Sequence, residues 1–308
     1  MSVLGKTIVA MEKIPLLGKI VVGFERSIYF RYVSKVREDA GGRAFATTAG
    51  TIRQGLFAGM RIDAQTSWGQ DRYSTIAGQY EKELHPMLRR ASELHYDCYV
   101  DIGCANGLYA VGLAHVDRSA TVFAYDIDPA ARAATERNAA LNGVAARVTI
   151  GAEADQPALA GIITDHASTL IISDIEGGEL DLVDPVACPA LLAADWLIEL
   201  HNDIPAAILT FADRFGSTHA VYVVSRSSRS PFADDCISFP SEDEAWIAVS
   251  EGRGFAPQNW LFVVRKAKMP EYADILDEAH WIAPSIGAVV PVAPTKTLAP
   301  ALADSVVV

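Results

Sequence analysis

Cysteine is scarce in this chain: four residues in 308, at positions 98, 104, 188 and 236, with no Cys-x-x-Cys pair among them. That count and spacing exclude a disulfide framework and a zinc cluster, and leave four reduced residues in apolar surroundings, as expected of a cytoplasmic protein. Positive charge is also in short supply. The 26 Lys and Arg against 38 Asp and Glu give a formal net charge of −12, which disfavours a general nucleic-acid surface, because phosphate backbones demand a concentrated positive field. Nucleic acid is therefore not an expected partner. Long hydrophobic runs are missing as well. Lys6, Glu12, Lys13, Lys19 and Glu25 break the N-terminal apolar stretches before they reach the ~18 residues of a spanning helix. No small-residue cleavage site follows an apolar core, so a signal peptide is not expected. Apolar residues still make up 50% of the chain, ample for a real core.

The most informative stretch is Tyr99-Val-Asp101-Ile-Gly103-Cys104-Ala105-Asn106-Gly107. An apolar strand ends in an acid and turns through two glycines into a helix. Glycine lets the backbone approach a ligand closely, and the helix start directs free N–H groups to the same place. A second apolar strand ends at Asp126, close to the separation of ~20 residues expected for an acid that takes ribose hydroxyls. A dinucleotide loop would need glycine at position 105, which here is alanine. The Asp101 carboxylate would also repel a pyrophosphate, yet would pair with the amino group of a bound amino acid. The loop therefore fits S-adenosylmethionine (SAM) better than a dinucleotide.

Along the chain, Leu17, Ile20, Val21, Phe24, Ile28, Tyr32, Val33 and Val36 recur at helical spacing, and residues 1–37 carry seven Lys or Arg against two Glu. This basic amphipathic helix is expected to pack on its own domain or on a second subunit, with a membrane surface as the less favoured partner. Residues 40–72 are rich in Gly, Thr and Ala and are expected to form a hairpin or ordered loops. A helix is expected from Tyr80 to Leu94. Strands near 97–102, 121–126, 147–151, 169–174 and 196–201 then alternate with helices near 106–116, 129–142, 155–163 and 178–194. Two more β-rich runs, 219–225 and 259–265, follow. The expected fold is α/β, Rossmann-like, of the class I methyltransferase type: a seven-stranded, mostly parallel sheet with helices on both faces. Three divisions are expected: an N-terminal helical cap over residues 1–95, the SAM domain over 96–270 and a partly flexible tail over 271–308, where Pro284, Pro291, Pro294 and Pro300 accumulate.

In open α/β sheets ligands bind beyond the carboxyl ends of the strands. Strand four ends in Asp174-Ile-Glu176-Gly-Gly-Glu179 and strand five in Glu199-Leu-His201-Asn202-Asp203. So many ionisable groups at two neighbouring strand ends point to a site rather than to folding. These runs, together with Gly78-Gln-Tyr80-Glu81-Lys-Glu83 and Asp101-Ile-Gly103, resemble the FkbM-type methyltransferase family over roughly residues 75–203. The chain has Gly103-Cys-Ala-Asn106-Gly107 where the family has Gly-Ala-Asn before its next glycine, and Asp126-Ile-Asp128-Pro129 where it has a Glu-Pro pair. The resemblance implies SAM as cofactor, O-methylation of a hydroxyl on a small molecule or glycan, and Tyr80 and Glu81 closing over the methionine end of SAM.

From the residues, Asp101 and the backbone of Gly103, Cys104, Ala105, Asn106 and Gly107 are assigned to the methionine part of SAM. Asp126, with Ile127 beside it, is assigned to the ribose, and Ala152 and Glu153 to adenine. Asp128, directly before Pro129, is the better helix cap. His201 is the candidate base, because an ordinary imidazole titrates near ~6.5. Asp174 and Glu176 are catalytic positioning groups, and Asp174 also borders the cofactor. Asp174 and Glu176, together with His201, Asn202 or Asp203, are the candidate ligands of a Mg²⁺ ion that would hold an acceptor oxygen, Asp174 and Asn202 foremost. N- or C-methylation and a non-catalytic SAM-binding scaffold are the alternative functions, and self-association into a homodimer is left open.

Overall fold

In a computed structural model of the chain, the structure describes residues 15–65, 71–201, 204–251, 259–276, 280–282 and 289–291. The described residues open with a 34-residue helix, α1 (Pro15–Thr48). After it come α2 (Arg72–Ile76), α3 (His85–Glu93), β1 (Cys98–Ile102), α4 (Leu108–Val116), β2 (Thr121–Tyr125), α5 (Pro129–Leu141), β3 (Val148–Gly151) and α6 (Gln156–Asp165). The second half adds β4 (Thr169–Ser173), α7 (Glu179–Leu182), β5 (Asp195–Leu200), α8 (Ile204–Phe215), β6 (His219–Ser225), α9 (Glu242–Val249), β7 (Asn259–Arg265), β8 (His280–Ile282) and β9 (Val289–Pro291).

Among the described residues one sheet holds every strand, in the order β3-β2-β1-β4-β5-β7-β6-β8-β9. The first five run parallel, and β7 enters antiparallel between β5 and β6. The seven expected strands are all present, and β8 and β9 lengthen the antiparallel edge. Residues 289–291 thus lie in the sheet, while the rest of 283–308 is outside the described residues.

Side chains alternate across the strands, as the period of two requires. Tyr99, Leu170, Ile172, Leu197 and Phe262 pack under α1, α3 and α4. Val100, Ile171, Trp196, Ile198 and Val263 pack under α6 and α8 on the other face. Burial on both faces explains why the parallel strands read as unbroken apolar runs. Asp128 and Asp155 cap α5 and α6, accepting from the backbone N–H of Ala130 and Ala158, each at 2.8 Å.

Three local expectations differ from the structure. The helix expected over 178–194 breaks into α7 and a 3-10 turn at Pro189–Ala193, because Pro185 and Pro189 cannot donate to a continuous helix. Of the hairpin or ordered loops expected over 40–72, residues 40–48 instead continue α1, and residues 49–65 form loops with a bridge between Thr51 and Arg61. Packing outweighs the poor helix propensity of Gly41-Gly42, since Ala40 and Ala44 on either side are fully buried. The third difference concerns the N-terminal helix, which docks through Val33, Val36, Ala40 and Ala44, while Ile28 and Tyr32 of the expected apolar stripe face solvent.

The order of strands reverses direction at β1, which lies between β2 and β4. Just beyond its end, Gly103 (φ +80°) is so close to the fourth strand that a Cβ there would sit 1.7 Å from the Asp174 carbonyl oxygen. Gly103→Ala should therefore destabilise the fold by roughly 2–5 kcal/mol, the sum of a left-handed backbone penalty and overpacking. Urea unfolding of the variant against wild type measures it.

Candidate functional site

The loop after β1 is pinned to β2 by its own backbone. Gly103 and Cys104 donate their N–H groups to the Tyr125 carbonyl at 2.8 and 3.0 Å. Gly103, Ala105 and Gly107 all take positive φ. Glycine does so freely, but Ala105 is held there at a cost, and Asp126 supplies the hold, its Oδ2 accepting from the Ala105 N–H at 2.9 Å. The other Asp126 oxygen accepts from the Asp128 N–H at 2.8 Å. Each carboxylate oxygen keeps a second lone pair for a ligand hydroxyl.

Asp126 opens on a cavity of about 690 Å³ whose walls also include Gly103, Ala105, Ile127, Ala152, Glu153, Asp155, Gln156, Asp174, Ile175 and Glu176. That volume is in the range of small-molecule sites. Ile127 is 82% exposed, an apolar surface for a flat ring. A second, smaller cavity joins Tyr80, Glu81, Asp101, Cys104, Asn106 and Asp174. The structure thus gathers every assigned cofactor residue into two cavities, except Gly107, which serves the turn. Its Cβ would strike Thr135 at 2.7 Å.

Asp101 departs from its expected role in one respect. Its Oδ2 accepts from the Ala110 N–H at 2.9 Å, inside the first turn of α4. Burial, with Asp174 and Asp126 nearby, pushes its carboxyl up to about 7. A cationic group brought into the smaller cavity would favour its ionised form.

Glu81 takes a left-handed backbone (φ +43°) while almost fully buried, and Tyr109 donates its hydroxyl to the Glu81 carboxylate. The Glu81 N–H donates to Glu251 at 3.2 Å. Buried Arg229 joins the same group, 2.8 Å from Glu251 and 2.7 Å from Glu83. This network ties the segment between β6 and β7 to the wall of the smaller cavity. Sequence reading missed Tyr109, Asp155 and Gln156. The only available signal was position, since Tyr109 lies on the first turn of α4 and Asp155 and Gln156 open α6.

At the ends of β4 and β5, His201 is surrounded by acids. Its Nδ1 lies 2.8 Å from Glu179, and its Nε2 lies 3.3 Å from Asp174, 3.4 Å from Glu176 and 3.8 Å from Glu199. Glu179 also accepts from the Gly177 N–H at 3.0 Å. Hydrogen bonds to Asp174 and Glu179 outweigh burial and raise the ring to about 10. The surrounding acids thus favour the protonated form of the ring over the neutral form that a base requires. Asp174, Glu176 and His201 place ligand atoms within 4.8 Å of one another, while Asn202 and Asp203 lie outside the described residues. A metal there would first have to displace the ring proton.

The strand order, with β7 inserted antiparallel, decides the architecture. The fold is that of a class I methyltransferase. A family model described as ribosomal protein L11 methyltransferase (PrmA) matches residues 88–178. The ribosomal protein L11 methyltransferase of Salmonella dublin is 30% identical over 119 residues, 35% of this chain and 40% of that protein. The chain thus spans less than half the length of this relative. Among solved structures, the ribosomal protein L11 methylase of Lactobacillus delbrueckii subsp. bulgaricus is similar at 15% identity, with 69% of this chain and 90% of that chain covered and a TM-score of 0.42. An rRNA methylase from Streptococcus thermophilus is similar at 12% identity over 59% of this chain and 96% of that chain, TM-score 0.40.

These findings support the methyltransferase superfamily and not the FkbM-type family. The expected partners, a small-molecule or glycan acceptor with nucleic acid excluded, are overturned, because the matching family model and the curated relative are both named for a ribosomal protein. The physical reason is that net charge averages over a whole surface and does not select what one crevice accepts. Among the described residues no helix is long and apolar enough to cross a membrane.

The ring of His201 gives a pH test. Its folded pKa lies above the ordinary 6.5, so its contribution to stability is complete below about 6.5 and disappears as pH rises through about 10. Wild type should lose stability across that window and His201→Gln should lose less, as urea midpoints at a series of pH values will show.

Proposed function

We propose that this chain is a SAM-dependent methyltransferase that modifies an amino group on a basic segment of a protein. One observation supports this above others. Asp126, Glu153, Asp155, Asp174, Glu176 and Asp181 line the larger cavity, with no lysine or arginine among its described walls. A pyrophosphate would be repelled there, whereas a cation rich in hydrogen-bond donors is attracted. SAM fits that donor set: it brings hydroxyls, an ammonium and an activated methyl group on a positively charged sulfur.

In this reading Asp126 takes the ribose hydroxyls, Ile127 covers one face of the adenine, and Ala152 and Glu153 border its edge. Asp101, Glu81 and Tyr80 hold the methionine end in the smaller cavity. Asp174 and Glu176 receive the acceptor. A protonated amine is drawn to them, and it must lose its proton before it can attack. Glu176, with its side chain 85% exposed, passes that proton to solvent. His201, held as a cation by Glu179, fixes the two carboxylates and does not itself take the proton. The names of the matched proteins agree with a macromolecular acceptor. The acidic walls favour protein over nucleic acid, which would need phosphate-binding cations at the mouth.

Asp126→Ala should weaken SAM binding by about 2–4 kcal/mol, the range for hydrogen bonds to a charged acceptor. Calorimetry measures the loss, with circular dichroism as the check on folding. Incubation with methyl-labelled SAM and lysate should then label material that protease degrades and nuclease does not. Nuclease-sensitive label overturns the acceptor class, and absence of SAM binding overturns the whole reading.

A further inference from the structure

The segment between β6 and β7 carries a surface feature that neither cavity uses. From Ser230 to Gly252 the chain holds Asp234, Asp235, Glu242, Asp243, Glu244 and Glu251 and no lysine or arginine. Within this acidic stretch two aromatic rings stand in solvent. Phe232 is 65% exposed and Trp246, on α9, is 48% exposed. The rings meet edge to face, with centroids 6.0 Å apart and planes at 88°. Two groups of this size held side by side at the surface mark an interaction site rather than ordinary scatter.

The charge around the rings has one sign. Glu242 and Asp243 are exposed and precede Trp246 by four and three residues, the spacing that puts all three on one face of α9. Asp235 follows Phe232 by three residues, with its side chain 99% exposed. Arg53 is engaged with Asp234 at 3.2 Å and with Asp235 at 3.6 Å, whereas among the described residues no lysine or arginine pairs with Glu242 or Asp243. The dipole of α9 accounts for acids in its first turn. It does not account for two rings left in water beside them.

The same segment is fixed to the wall of the smaller cavity. Ser230 donates its N–H to the Gln79 side-chain oxygen at 2.9 Å, and the Gln79 amide donates to the Ser230 carbonyl at 2.5 Å. Gln79 directly precedes Tyr80, which lines that cavity. Phe232 therefore stands two residues from an anchor beside the site.

We propose that Phe232, Trp246, Glu242 and Asp243 form a docking surface for a basic segment of the acceptor protein. An arginine or lysine stem lies over the indole, and its charge meets the two carboxylates. This rests on the reading of the acceptor as a protein. A second copy of the chain would set acid against acid, and an anionic membrane or an RNA would bring phosphate to the same carboxylates.

Fluorescence anisotropy of a labelled peptide of alternating arginine and alanine, mixed with the full chain, tests the proposal. Wild type should bind the peptide and lose affinity with salt. Trp246→Ala should weaken binding about tenfold or more, as loss of a central aromatic anchor does, and Trp246→Phe should keep most of it. Glu242→Gln combined with Asp243→Asn should weaken binding and flatten its salt dependence. SAM affinity by calorimetry should stay unchanged in every variant, with circular dichroism showing that α9 is intact. Peptide binding indifferent to Trp246→Ala and to the paired amide variant overturns the proposal, while SAM binding and protease-sensitive labelling still stand. Binding lost in Asp174→Asn but kept in Trp246→Ala puts the peptide in the crevice and overturns it equally. A dimer that Trp246→Ala dissolves, or capture on phosphatidylserine vesicles through Trp246, overturns it in favour of that partner. Absence of SAM binding with the peptide still held through Trp246 overturns the proposed function and leaves the docking surface for a basic segment in place.

Discussion

The close approach of two backbones, Gly103 to Asp174, governs the rest of the molecule. At that point the strand order reverses. Asp174 donates its N–H to the Ile102 carbonyl at 2.9 Å, and Gly103 donates to Tyr125 on the opposite side. β1 is thus held to both neighbours one residue past its own end. The chains on either side can only diverge from there, and the crevice between them is what remains. Asp101, Asp126 and Asp174 all look into it because three parallel strands end at the same level.

The parts of this arrangement that depend on neighbours in sequence were legible from sequence. Asp126 and Asp128 illustrate this: the residue before a proline caps the helix, so the acid two places earlier is free for another use, and the structure divides their contacts in that way. The strands and the glycine turn were legible for the same reason, since their signals are local and periodic. What was not legible depends on groups brought together from afar. Histidine at 201 is a visible residue type, but its charge state follows from Asp174, Glu176, Glu179 and Glu199 converging on one ring. The run through Gly41-Gly42 misled for a related reason, because burial of the flanking alanines against the body keeps that stretch helical. Residues 178–194 could have been read better, as their two prolines were in plain view.

The electrostatic character of the site is also a collective property. Six carboxylates on one cavity wall repel one another, and folding brings them together at a cost that a cationic occupant offsets. Binding and local stability should therefore be linked in this region. The imidazolium of His201 relieves part of the repulsion at one end, and the backbone N–H groups of Ala105 and Asp128 relieve another part at Asp126.

The buried Arg229 has a consequence for how such a chain can change over generations. It is 7% exposed and satisfies Glu251 and Glu83 together. Loss of one member of a buried ion pair leaves an uncompensated charge, at about 3–5 kcal/mol, whereas replacement of the whole set by apolar groups is often neutral. Single-step drift through this corner is blocked. Descendants of the chain should keep all three residues or lose all three, and the wall beneath Tyr80 and Glu81 should be inherited as a unit even while the surface around it diverges.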